Sequence, residues 1–214
     1  MLLLSHAAAP FYKNGYLLGC ETTREAVVID PGDEAADLIA AIARERLTVK
    51  FILLTHAHVD HVSGVARLKA ATGAPVGLHR DDLPLYNAAV AQGEMFGYRI
   101  DPPPPPDFFF EIGGSPLWIG EYWIRVIHTP GHSPGGVCFQ VGPTGSGGTD
   151  VFAGDTLFAG SIGRTDLPGG DYAALIRSIR SELLALEEGT GVHPGHGPRT
   201  TIGDERRSNP FLQD

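Results

Sequence analysis

A chain of 214 residues, 43% of them hydrophobic and carrying a formal charge of −9, is long enough to bury one substantial core and is acidic overall. Its sixteen Lys and Arg are scattered apart from the adjacent Arg206 and Arg207, so no basic stripe can neutralise phosphates, and nucleic acid is excluded as an expected partner. No stretch approaches the ~18 continuous apolar residues of a membrane span, which excludes a membrane-spanning role.

In chain order, "MLLLSHAAAP" lacks a basic n-region and reads as an opening strand, not a signal peptide. "YLLGC" (16–20) and "AVVID" (26–30) are strand-like, and "PGD" turns the chain so that Asp33 is placed to cap a helix over 34–46. "FILLT" (51–55) is a further strand, followed by a helix over 62–72 that Gly73 closes. A strand at 75–78 and a helix at 81–91 come next. The run "DPPPPP" then rules out helix or central strand and predicts a stiff polyproline II connection at 102–106, either a plain surface link or a wall beside a site. The second half reads as strands at 122–128, 136–141 and 151–154, with "GPTGSGGTD" as a hairpin loop between the last two. Asp171 is placed to cap the strongest helix, in which Tyr172, Leu175, Ile176, Ile179, Leu183 and Leu186 form a core stripe. Tyr122 and Trp123 read as core, and Cys20 and Cys138 as reduced buried thiols. The absence of a linker or repeat makes residues 1–214 one domain of two similar βα-rich halves, expected in the cytoplasm.

The chemistry lies where strands end. "THAHVDH" places His56, His58, Asp60 and His61 directly after a buried strand, and four ligand-type side chains in six positions are costly to bury unless something satisfies them together. A metal does so. Three distant strand-like runs also end in such residues beside glycine or proline: His132, Asp155 and His196. The carboxyl ends of strands are where open α/β sheets bind ligands. Five histidines and two aspartates exceed what one tetrahedral ion can use. Two ions can use them, one held by three histidines and the other by an aspartate and two histidines, with one carboxylate shared. His6, His79, His128 and His193 fit structural or solvated roles, with His193 close enough in sequence to His196 to support it.

"HAHVDH" followed by His132, Asp155 and His196 resembles the ligand series of the metallo-β-lactamase-fold hydrolases, in order and over nearly the whole chain. "GDTLFAGSIGRTDLPGGD" and "HPGHGPRTTIGDERRSNPFL" resemble the small glyoxalase II-like branch, and "GRTD" is shared with the related persulfide dioxygenases. The resemblance implies an α/β fold, a four-layer αββα sandwich of two mixed sheets flanked by helices. It implies that His56, His58 and His132 hold a first metal, that Asp60, His61 and His196 hold a second, and that Asp155 bridges them. The ions would be divalent, zinc first, with iron or manganese able to use the same donors. Arg164 and Thr165, on a glycine-rich loop after Asp155, would contact substrate, unless Arg164 simply pairs with Asp166 or Asp171.

The activity so implied is hydrolysis of a small acyl thioester such as S-lactoylglutathione by a metal-bridging hydroxide, with Asp60 orienting it. A thiolate of pKa ~8.5 departs without a strong general acid, whereas a lactam nitrogen would need one. Two-domain glyoxalase II enzymes use a C-terminal helical domain to grip glutathione. The chain ends at Asp214 without one, so glutathione recognition transfers less readily than the metal chemistry. The alternative is a mono-iron persulfide dioxygenase using His56, His132 and Asp155. The sequence leaves the oligomeric state open.

Overall fold

The computed structural model describes residues 1–145 and 147–213, and they divide into two compact units, Met1–Phe110 and Glu111–Asp214. The first is built on a six-stranded sheet: β1 (Leu2–Ala8), β2 (Lys13–Gly19), β3 (Glu25–Ile29), β4 (Thr48–Leu53), β5 (Val76–Leu78) and β6 (Phe108–Phe109), ordered as in the chain. The first three pair antiparallel and β3 to β6 run parallel. Parallel neighbours need crossovers, and helices supply them: α1 (Ala35–Glu45) links β3 to β4, and α2 (Val59–Val62) with α3 (Val65–Thr72) links β4 to β5. A 3₁₀ turn at Arg80–Asp82, α4 (Leu83–Asn87) and α5 (Ala89–Met95) follow. Leu38 and Ala41 of α1 and Val65 and Leu68 of α3 bury against Leu17, Val28, Ile52 and Leu54 from the strand side. At ~25 cal/mol per Å² of apolar area this burial is the main force holding the layer together.

The second unit repeats the theme with a different topology. Its six-stranded sheet runs β14 (Thr200–Thr201), β13 (Gly191–Pro194), β10 (Asp150–Gly154), β9 (Val137–Pro143), β8 (Tyr122–His128), β7 (Leu117–Ile119), and only β10 and β13 are parallel. A small ribbon of β11 (Leu157–Phe158) and β12 (Ser161–Ile162) stands apart from it. Helix α6 (Tyr172–Ser178), continued by a π-helical turn at Ile179–Leu183, is the β10 to β13 crossover, and α7 (Ile202–Ser208) closes the unit. Leu175, Ile179 and Leu183 are fully buried against Cys138, Val151, Ala153 and Val192. Both cysteines are buried and reduced, as expected.

Several expectations need correction. The helix expected at 34–46 is found at Ala35–Glu45, and Asp33 does not cap it; its Oδ1 accepts from Ser63 Oγ at 3.1 Å and from the Tyr98 hydroxyl. The helix expected at 62–72 begins earlier and is broken at Ser63 and Gly64, where a Cβ would stand 2.2 Å from the Gly32 carbonyl oxygen. The single helix expected at 81–91 is three short pieces. Tyr172 heads the core stripe in sequence but is 53% exposed in the first turn of α6, and Tyr122 and Trp123 are only half-buried. Asp171 caps α6 as expected, accepting from Ala174 N at 2.9 Å, and Gly73 ends α3 at φ 69°. Residues 102–106 carry no helix or strand, and the Pro104 carbonyl accepts from the Tyr86 hydroxyl at 2.7 Å, which makes the segment a strut on α4. Of the hairpin loop expected between β9 and β10, Ser146 lies outside the described residues.

Candidate functional site

In the first unit the loop after β4 and the turn into α2 hold four of the expected ligands. His56 and His61 rings lie 3.9 Å apart by centroid and His56 and His58 rings 4.9 Å apart, nearly perpendicular. All three are buried. His58 is the residue at which extended backbone gives way to helix, so Asp60 falls in the first turn and His61 on the inward face.

Asp30 is the residue that organises this cluster, and sequence reading assigned it no role. It follows β3 at φ 50°, a left-handed conformation that costs most side chains but that Asp tolerates. Its carboxylate accepts from Thr55 N at 2.7 Å and from Thr55 Oγ1 at 2.6 Å, and stands 2.9 Å from His61 Nδ1. These contacts fix tautomers. The carboxylate accepts, so His61 Nδ1 donates. Thr55 spends its proton on Asp30, so its oxygen accepts from His56 Nδ1 at 3.1 Å. In neutral rings with Nδ1 protonated, Nε2 is the lone-pair atom. Asp30 is backed in turn by the buried Lys13, whose Nζ bonds the Asp30 carbonyl and Glu34 Oε1, the latter at 2.7 Å. The Asp82 carboxylate, fully buried, accepts from Ala57 N at 2.9 Å and so pins the backbone between His56 and His58. The sequence signal for Asp30 was "VVIDP", an acid directly after a run of buried apolar strand residues.

In the second unit the three expected residues come from three loops. His132 lies four residues beyond β8, Asp155 directly after β10, and His196 two beyond β13. They nevertheless meet: Asp155 Oδ2 is 3.6 Å from His132 Nε2 and 3.7 Å from His196 Nε2. His132 Nδ1 bonds the Arg164 carbonyl oxygen at 2.7 Å. A carbonyl can only accept, so Nδ1 carries the proton and Nε2 faces the carboxylate with its lone pair. Gly163 lets this loop close: a Cβ there would stand 1.8 Å from the Asp155 carbonyl oxygen and 3.1 Å from His132 Nδ1.

Each half-set suits a cation. Two ligand atoms held about 2.0–2.1 Å from one tetrahedral ion lie roughly 3.4 Å apart. The His132 and His196 to Asp155 separations of 3.6 and 3.7 Å, and that of His61 Nε2 to Asp60 Oδ2 at 3.7 Å, are near that value and too long for hydrogen bonds. Two electron-pair donors facing each other at this distance form an arrangement that a cation stabilises and that water or a proton serves less well. The fixed Nδ1 partners are the support that metal-binding histidines ordinarily have.

The remaining expected residues separate cleanly. The Arg164 side chain is exposed and makes a two-point pair with Asp166 at 2.7 and 2.7 Å, holding the Asp166 carboxyl down at about 2. The pairing with Asp166 expected for Arg164 is present. Its carbonyl, not its guanidinium, serves the cluster. The Thr165 side chain is half-buried on the same loop. His193 stacks on Phe152 and bonds Asp150 Oδ1 at 2.9 Å, a structural role; His79 caps the 3₁₀ turn, accepting from Asp81 N at 3.3 Å; and His128 Nε2 lies 3.2 Å from the Pro134 carbonyl.

Fold and ligand pattern together define the class, and residues 8–198 match the family model for the metallo-beta-lactamase superfamily. The chain belongs to that superfamily and is a metallo-hydrolase of it, with the two six-stranded mixed sheets flanked by helices that its fold requires. Among its relatives, the protein named hydroxyacylglutathione hydrolase GloC from Haemophilus influenzae is 41% identical over 190 residues, 88% of each chain. The crystal structure titled TTHA1623 in a di-iron-bound form is 46% identical with a TM-score of 0.85, covering 98% of this chain and all of the other. That titled BLEG-1 B3 metallo-beta-lactamase is 40% identical with a TM-score of 0.89, covering all of both. Among the described residues no helix is long and apolar enough to cross a membrane.

Proposed function

We propose that His56, His58 and His132 hold one divalent metal ion and Asp60, His61 and His196 a second, with Asp155 shared, and that the protein hydrolyses a small acyl thioester in the cytoplasm. The observation that carries this reading is the fixing of His56, His61 and His132 through Nδ1, which turns three Nε2 lone pairs outward as ligands. A relative named as a hydroxyacylglutathione hydrolase supports S-lactoylglutathione as the leading substrate, and a similar protein titled as di-iron-bound supports iron beside zinc as the metal. When bound, the ions supply a Lewis acid that polarises the acyl carbonyl and lowers the pKa of water from 15.7 towards ~7.

The chain's own contribution is positional. Asp30 and the Arg164 carbonyl keep the imidazoles in the tautomer that binds cations, so little reorganisation accompanies reaction. Asp60 sits in the first turn of α2 with its carboxylate partly accessible, able to accept a proton-bearing group and orient it. The reaction class follows from the leaving group. A thiolate of pKa ~8.5 departs unaided near neutral pH, whereas an amide nitrogen needs protonation, so a thioester suits this site better than the lactam that the BLEG-1 title suggests.

The test is thiol release from S-lactoylglutathione by protein purified with its metals, beside a chelated sample and Asp60→Ala. Rapid release that chelation abolishes and Asp60→Ala lowers at least a hundredfold is the expected result. Oxygen uptake with glutathione persulfide in place of thiol release would overturn the reading in favour of an iron dioxygenase.

A further inference from the structure

A second concave site lies in the first unit, built from residues to which the metal chemistry gives no task. It is a cleft of about 460 Å³, within the size range of small-molecule pockets, lined by Arg67, Arg99, Tyr98, Ser63, Asp33 and Asp101. Gly32 and Gly64 are among its lining residues, and a Cβ on them would collide with the backbone oxygens of Asp60 and Gly32 respectively, each at 2.2 Å, so the backbone there is packed directly on backbone.

The polar groups are not equivalent. Asp33 Oδ1 already accepts from Ser63 Oγ and Tyr98 Oη, which holds the three side chains in one fixed arrangement. Burial and the Asp33 carboxylate push the Tyr98 hydroxyl up to about 12, so it remains a neutral donor throughout the physiological range. Tyr98 is held from both sides, by its backbone N–H on the Gly93 carbonyl at 2.8 Å and by the edge of Phe11 at 5.6 Å. Arg67 and Arg99 have no ion pair among the described residues, whereas Arg44, Arg164, Arg199, Arg206 and Arg207 are paired with carboxylates. They reach the cleft from separate elements, α3 and the segment after α5.

We propose that this cleft is a binding site for a small oxyanion, the carboxylate or phosphoryl group of a metabolite, held by Arg67 and Arg99 and separate from the metal ligands. Guanidinium groups match carboxylate and phosphate geometry through two parallel N–H donors. Asp33 and Asp101 balance the two positive charges, so the site suits a group of low charge. Its wall runs from Gly32 through Asp33 on the loop that also carries Asp30, which places the occupant on the segment that orients His61.

The test is calorimetric titration of the metal-loaded protein at low ionic strength with inorganic phosphate and, separately, with acetate. Saturable binding by the native chain that weakens at least tenfold in Arg67→Gln/Arg99→Gln is expected, and the stronger probe identifies the group. Both arginines are exposed, so this variant folds. Arg44→Gln/Arg46→Gln, which removes two cations from the far end of α1, is expected to bind like the native chain. No saturable binding of either probe, binding undiminished in the Arg67/Arg99 variant, or an equal loss in the Arg44/Arg46 variant would each overturn the proposal.

Discussion

The two units present candidate ligands of the same kind by opposite means. In the first, four candidates sit on one stretch of six residues, and side chains hold them: the adjacent Thr55, the distant Asp30 and Asp82 and, behind these, Lys13 with Glu34. In the second, three candidates come from loops as far apart as 132 and 196, and the backbone holds them: the Arg164 carbonyl for His132 and a glycine at 163 that admits the close turn. A contiguous motif brings its ligands together at no topological cost but needs buried polar support. A dispersed one is assembled by strand order and needs only backbone that fits.

The difference predicts where each half breaks. Asp30→Ala has the largest expected effect. It removes three contacts at once and leaves Thr55 and His61 to find new partners inside the core, so unfolding in urea should show a loss of about 3–5 kcal/mol, with bound metal reduced in parallel. Native-like stability and metal content would show that the first unit does not depend on side-chain support. Gly163→Ala tests the backbone half. The added methyl meets the Asp155 carbonyl, and a loss of about 1–3 kcal/mol with at least tenfold lower activity is expected from unfolding and turnover measurements.

A smaller effect is expected at Asp150, which His193 and then Arg199 hold below the ordinary carboxylate range. A depressed carboxylate pKa contributes stability that is present above the unfolded value of ~3.9 and is lost as pH falls through the folded one. The stability gap between the native chain and Asp150→Asn should therefore close as pH falls from about 5 towards 3. A gap that widened over that range would contradict the sign. The smallest effect is expected from Arg164→Ala, because the carbonyl that holds His132 survives the substitution. Metal content and unfolding midpoint should be unchanged; loss of metal would mean that the side chain, not the backbone, supports the second half. An isolated rise in KM would return Arg164 to a substrate-binding role.

Legibility followed the same division. Strands and the strongest helix were readable because alternating or 3.6-residue apolar spacing is a local property, and Asp171 capped α6 as its position implied. Asp33 misled for the opposite reason: a capping-type residue in the right place was taken by Ser63 and Tyr98, 30 and 65 positions away, whose competition no local rule contains. Tyr172 fits the apolar stripe by spacing, but whether the sheet reaches the first turn of the helix is a tertiary matter.

The sequence by itself determined the candidate ligand types, their order and the superfamily, because imidazole and carboxylate are the side chains that bind such cations and their spacing survives in one dimension. Only the tertiary structure decided which nitrogen is available in the His56, His61 and His132 rings. His61 is set by an aspartate 31 positions away and His132 by a carbonyl 32 positions away, and a backbone carbonyl, which every residue possesses, has no letter in the sequence.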